Sequence, residues 1–429
     1  MVEPRGNVVG ADPTQFTWAY QYDEAGNRTR VTHPLGNYVQ YGYDAANNLT
    51  QVTDQRGNAT GFTYDTMNRL WKVTPPAAGG TGTLDTVYAY DAAGNLASRT
   101  DPNGHATSWG YDLDGLVTQR ATTVGTWNLT YDSNGNLKTL QAPSTGVVSD
   151  SYDRMSRLVG TSFSDTTPAV TRTYDLAGRA STMSDGSGSV GYTFDNANRL
   201  TDISRTGGGS GLNGTLHYDY DNAGNITGRS YPDTTAVTQA FDDDGRLTSV
   251  ASGGQTTGFA YDAAGNLTTT TLPSGNGYAE TRSYDRAGRL TTVDNAKAGV
   301  SLSKFLWTLD AAGNATKAQT ARAGGDTYDA YEYDARNRLT AACYAVAQSA
   351  TNCTGATNEI TYAYDKVSNR TQEVRTGSVG NTGTISYAYN SADQLTSTTN
   401  GASTTNYGYD ANGNETGAGS RTFGYNLAN

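Results

Sequence analysis

Carboxylates set beside turn glycines are the first residues whose spacing suggests chemistry. Asp112-Leu113-Asp114-Gly115, Asp132-Ser133-Asn134-Gly135-Asn136, Asp242-Asp243-Asp244-Gly245 and Asp410-Ala411-Asn412-Gly413-Asn414 are rich in the oxygens that calcium prefers. A calcium loop of the EF-hand type, however, needs glycine at its sixth position and a bidentate carboxylate at its twelfth. Here glycine comes fourth and the twelfth position varies, so ordinary turn geometry accounts for these residues. The three histidines, His33, His105 and His217, lie in separate stretches, and no serine or cysteine is paired with any of them in sequence. The glycine-rich stretches lack the Gly-Lys-Ser/Thr ending of a phosphate-binding loop. Trp18, Trp71, Trp109, Trp127 and Trp307, with many tyrosines beside Asn and Asp, suit the stacking of sugars. The same aromatics suit cross-strand packing equally well. These residues call for no catalytic group, cofactor or metal.

Composition points to the elements that position them. Of 429 residues 35% are hydrophobic, with 30 Tyr against 8 Phe, and 51 are Gly. Tyr and Thr fit a pleated, half-wet surface, so the chain reads as ordered β structure with a thin apolar layer. A net charge of −11 argues against attraction to nucleic acid. No apolar run approaches the ~18–20 residues of a membrane helix. Met1-Val2-Glu3-Pro4-Arg5-Gly6 lacks the charged start and apolar stretch of a secretory signal, so either the chain is cytosolic or its true N-terminus lies upstream.

An internal repeat dominates the sequence. Tyr22-Asp23-Glu24-Ala25-Gly26-Asn27 returns as Tyr90-Asp91-Ala92-Ala93-Gly94-Asn95, as Tyr261-Asp262-Ala263-Ala264-Gly265-Asn266, and as Tyr284-Asp285-Arg286-Ala287-Gly288-Arg289. Looser copies bring the number to nineteen between residues 22 and 425, about 22 residues apart. Each copy reads as a β-hairpin. Aromatics alternate before the turn, Asp accepts backbone N–H groups within it, Gly supplies positive φ, and a Leu-Thr-x-Val run restarts a strand. The spacing predicts an all-β fold: a repetitive antiparallel hairpin strip with almost no helix. Residues 1–19 read as a lead-in strand and 20–429 as one continuous array, with inserted loops near 75–85, 205–215 and 343–358.

These motifs resemble the YD repeats of the RHS (rearrangement hot spot) family, which includes wall-associated proteins, toxin-complex subunits and teneurins. The resemblance covers about residues 20–427. It implies a β strip that spirals into a hollow shell, often around a C-terminal toxin, and export to the extracellular space or cell surface, often from bacteria. It also implies a non-enzymatic structural module whose partners are the remainder of the shell or a partner chain. A carbohydrate-binding module using exposed Tyr and Trp rows, with cell-surface glycans as partners, is the alternative. The Asp-Pro-x-x-Gly-Arg-Phe-like ending at which relatives release their cargo by self-cleavage does not occur here. Neither self-cleavage nor toxin activity is therefore carried over. Cys343 and Cys353, ten positions apart, either close a short loop or stand as two reduced small residues; the implied export favours the disulfide.

Two strands per repeat give about 38 strands, a strip about 180 Å long and about 20 Å wide. Bent into one ring it would be about 58 Å across, open above and below, with unpaired sheet edges.

Overall fold

The computed structural model describes residues 1–78, 83–144, 146–207, 213–273 and 277–427. Among these residues lie 37 strands in one sheet, from β1 (Ala19–Tyr22) to β37 (Arg421–Thr422). Every strand pairs antiparallel with its neighbour in the chain, from the first hairpin to the last. Among the described residues no pairing joins the two end strands, and the sheet is open. There is no α-helix among them either; two 3-10 turns, Pro4–Asn7 and Pro13–Phe16, are the only helical residues described.

Those turns correct the expectation of a lead-in strand over residues 1–19. Proline has no N–H for a ladder and its fixed φ suits the first position of a helical turn. Pro4 and Pro13 both open 3-10 turns, and the two are clasped by a single bridge between Val2 and Thr17. Of the expected inserted loops, the one near 343–358 is fully described. Those near 75–85 and 205–215 fall partly outside the described residues, Gly79–Gly82 and Gly208–Leu212 among them.

The strip does not bend into a single ring. In the first third of the chain, turns that follow even-numbered strands meet repeat turns about 260–280 residues further on. Arg56 donates to the carbonyls of Tyr333 (3.1 Å) and Asp334 (2.8 Å). Asn103 donates to Asp365 (3.1 Å), Thr123 to the Ser391 carbonyl (2.9 Å) and Ser144 to Asn412 (3.0 Å). Arg5 in the first 3-10 turn reaches the Asp285 carbonyl (2.8 Å) in the same way. Between such partners lie 23 to 25 strands. At ~4.8 Å per strand one winding has a perimeter of about 115 Å and a centre-line diameter of about 37 Å. The 37 strands therefore make about one and a half windings of a coil, stacked turn to turn, and not one wide hoop.

A one-layer coil has almost no interior. The chain exposes 23908 Å², about half again the roughly 15,800 Å² of a compact protein of its mass. Among the described residues the buried apolar ones are Ala330, Ala341, Ala342, Cys343 and Cys353. Cys343, at the end of β30 (Leu339–Cys343), is disulfide-bonded to Cys353 with Cα atoms 5.5 Å apart. The loop between them folds onto the sheet, where Val346 and Ala356 pack and the Cys353 N–H donates to Glu332 (2.9 Å).

Two outcomes are expected from this architecture. End-on views in negative-stain or cryo-electron microscopy show a ring about 45–50 Å across with low central density; a filled disc refutes the coil. Replacing both cysteines by serine lowers stability by about 2–3 kcal/mol, the loop-entropy value for so short a ring. Thermal unfolding with and without reductant measures this loss.

Candidate functional site

The recurrent Tyr-Asp turn is where this chain concentrates its polar side chains. Each is a three-residue hairpin loop ending in a left-handed residue, as Gly26 shows at φ +84°. The turn closes through the Asp23 N–H to the Asn27 carbonyl (3.0 Å) and the Gly26 N–H to the Asp23 carbonyl (3.1 Å). The Asp23 carboxylate then accepts the Asn27 backbone N–H on one oxygen (2.8 Å) and the Asn27 side-chain amide on the other (3.1 Å). Asp91 with Asn95 and Asp262 with Asn266 repeat this pattern.

The Asn/Arg alternation at the fifth turn position has one physical basis, which sequence reading missed. Arg289 puts its backbone N–H (3.0 Å) and its Nε (2.7 Å) into the two oxygens of Asp285, as Arg69 does for Asp65. Either residue supplies the same pair of donors. Both also reach the next repeat: the Asn27 amide donates to the Asn47 side-chain oxygen (2.8 Å), and the far end of arginine goes to a backbone carbonyl. Arg289 donates to the Asp310 carbonyl (2.8 Å), and Arg199 donates to the Asp221 carbonyl while lying 4.7 Å from the Tyr220 ring centroid.

The tyrosine also works between repeats. The Tyr90 hydroxyl donates to the Leu70 carbonyl (2.8 Å), Tyr261 to Leu247 (2.8 Å) and Tyr284 to Leu267 (2.8 Å). At each of these hairpins the ladder register shifts by one residue just before the tyrosine. Such a bulge twists the strand and re-aims its side chain, here towards the previous hairpin. Tyr22 opens the array and stands 60% exposed. The preference for Tyr over Phe was the available signal: only a hydroxyl makes this bond.

Carboxylates that accept this many bonds are stabilised as anions. Side-chain donation from Asn27 holds Asp23 below the ordinary carboxylate range. Backbone donation from Arg69 does the same for Asp65, and side-chain donation from Arg157 for Asp153. The calcium-like loops use their oxygens in the same way: one Asp112 oxygen accepts the Asp114 and Leu116 N–H groups.

The histidines are not brought together. His33 is buried, accepts the Leu35 N–H and lies 5.9 Å from the Trp18 ring; burial lowers its basicity. His217 has a carboxylate at each ring nitrogen, Asp202 at 2.7 Å and Asp219 at 3.3 Å, and the Asp202 bond raises its pKa. Neither ring nitrogen is left to take a proton from a hydroxyl. His105 lies beside Asp101 at the contact between windings, with its Nδ1 3.5 Å from a carboxylate oxygen.

Comparison with known proteins follows the same lines. The family model described as RHS Repeat matches residues 4–38, 43–79, 90–126 and 241–276, and that described as Teneurin YD-shell matches 151–257. No curated protein sequence matches the chain. Among solved structures, TcdB2-TccC3 without its hypervariable C-terminal region is similar over 97% of this chain and 25% of that one, at 16% identity and TM-score 0.76. The Tc holotoxin pore of Photorhabdus luminescens is similar over 94% of this chain and 26% of that one, at 15% identity and TM-score 0.72. TcdB2-TccC3 itself gives 93% and 28%, at 15% identity and TM-score 0.67. The chain thus spans about a quarter of the length of these solved chains, and at such identities the likeness is one of fold.

The turn carboxylates set an acid limit on stability. For Asp23, Asp65 and Asp153 the folded pKa lies below the unfolded value near 3.9. The stability they contribute is therefore complete above about pH 4 and is lost as pH falls through the lower folded values. Melting temperature measured from pH 7 downward is expected to change little from this cause until about pH 4 and then to fall; an equal fall between pH 7 and 5 would remove these turns as its origin.

Proposed function

We propose, from the premise that this chain is an RHS/YD-repeat protein of the β-shell type, that it is a non-enzymatic wall segment of a hollow extracellular container. The observation that carries this reading is the one-layer coil of about one and a half windings, stacked turn on turn through Arg56 and its counterparts. A wall of this kind separates an inside from an outside without a core of its own. One and a half windings leave both rims uncovered, so the container is completed by further shell or by a partner chain and would hold a toxin or effector. The histidine environments favour no acid–base role, and the turn carboxylates are spent on backbone donors.

Binding of cell-surface glycans is the second reading. It rests on the exposed rings of Trp71, 45% accessible, and Tyr20; that of Tyr38 is covered by Arg30, 3.4 Å from its centroid. Many other rings are engaged by arginine or by the carbonyl bonds described above, which favours the wall.

The test is to follow the protein in its own producing cells with a specific antibody. The expected result is recovery outside the cytosol in a particle much heavier than the 45.3 kDa chain, with a hollow interior in electron micrographs. Recovery only as a free cytosolic monomer overturns the reading.

A further inference from the structure

Two departures from the repeat meet in space at the contact between windings. The turn Asp54-Gln55-Arg56-Gly57-Asn58 closes as the Tyr-Asp turns do, with the Asn58 amide donating to the second oxygen of Asp54 (3.2 Å). In the turn Asp101-Pro102-Asn103-Gly104-His105 a histidine takes the asparagine's place. Its backbone N–H still reaches the first oxygen of Asp101 (2.9 Å), but its Nδ1 sits 3.5 Å from the second oxygen and makes no hydrogen bond. This nitrogen is buried without a partner, and Asp101 is only 8% exposed.

The second departure lies 288 positions along the chain, in Tyr389-Asn390-Ser391-Ala392-Asp393-Gln394. The usual turn aspartate is Asn390, whose amide donates to the Gln394 side-chain oxygen (2.7 Å), a reversal of the donor and acceptor roles seen elsewhere. The left-handed position, which is Gly, Asn or Ser in the other copies, is Asp393 at φ +60°. That position strains a residue with a Cβ. The altered residues face each other: Asp101, His105 and Asp393 each place one ligand atom within 4.8 Å of the other two.

We propose that Asp101, His105 and Asp393 form a binding site for one divalent transition-metal ion, with zinc the best match, that pins the first winding to the second. An imidazole nitrogen and two carboxylates are a donor set that zinc accepts, with a fourth position left to water. Both carboxylates are already oriented by bonds to their other oxygens. Asp101 accepts the Asn103 and His105 N–H groups, and Asp393 accepts the Asn369 side-chain amide (2.9 Å). The three residues line a cavity of about 280 Å³ that also contains Arg99 and Arg120. Arg120 lies over the Trp127 ring, 5.0 Å from its centroid. Arg99 and Arg120 together balance the two carboxylates, so the cavity is close to neutral before an ion enters.

The experiment uses the whole chain, stripped with chelator and titrated with zinc chloride by calorimetry. One equivalent is expected to bind, and the melting temperature is expected to rise with zinc as for any ligand of the folded state. His105→Asn and Asp393→Gly restore the residues that the repeat uses elsewhere, so both variants are expected to fold and to melt, metal-free, at or above the parent temperature. Each is expected to weaken zinc binding at least tenfold and to abolish the zinc-dependent rise in melting temperature. Absence of stoichiometric binding by the parent chain, or unchanged binding by both variants, overturns the proposal.

Discussion

A sheet one layer thick has no second layer against which to bury a face, and every other feature of this molecule answers that constraint. With five small buried apolar residues among those described, burial cannot be what joins one hairpin to the next. The joining falls to polar bonds repeated at fixed positions. The backbone ladder runs through every strand, a tyrosine hydroxyl crosses to the preceding repeat, and an arginine or asparagine crosses to the following one. Each bond is modest, and repeat arrays gain stability by summing such nearest-neighbour terms.

The hairpin period, the turn and its glycine were legible in the sequence because they are local. Asp23 through Asn27 carry all the information that their turn needs. The role of the tyrosine was less legible, since the carbonyl it meets belongs to the previous repeat and the bulge beside it leaves no mark in the residue pattern. Arg289 was visible as a deviation from Asn, but its equivalence needed the geometry of Nε against a carboxylate. The N-terminal stretch was misjudged for a definite reason. Its apolar residues suit a strand, while Pro4 and Pro13 forbid continuous pairing.

The coil itself was the hardest feature to read. The sequence supports a strip and its length, but the winding number depends on an angle of about 15° per strand, set by sheet twist and by bulges. A difference of a few degrees, accumulated over 37 strands, separates one broad hoop from a narrower coil. The contacts that fix the answer, such as Arg56 with Asp334, join residues 278 positions apart. The pairing of His105 with Asp393 is equally invisible along the chain, although each residue is conspicuous as an exception to its own repeat.

The contrast between the ladder and the winding contacts has a mechanical consequence. Around the circumference, force is carried by continuous backbone hydrogen bonds that must break in concert within each strand pair. Along the axis, force is carried by isolated side-chain contacts such as Arg5 with Asp285 and Asn103 with Asp365, which can break singly and in succession. The wall is therefore stiff against bursting and compliant against stretching. Pulled at its ends it should extend like a spring, its windings separating while each hairpin stays intact.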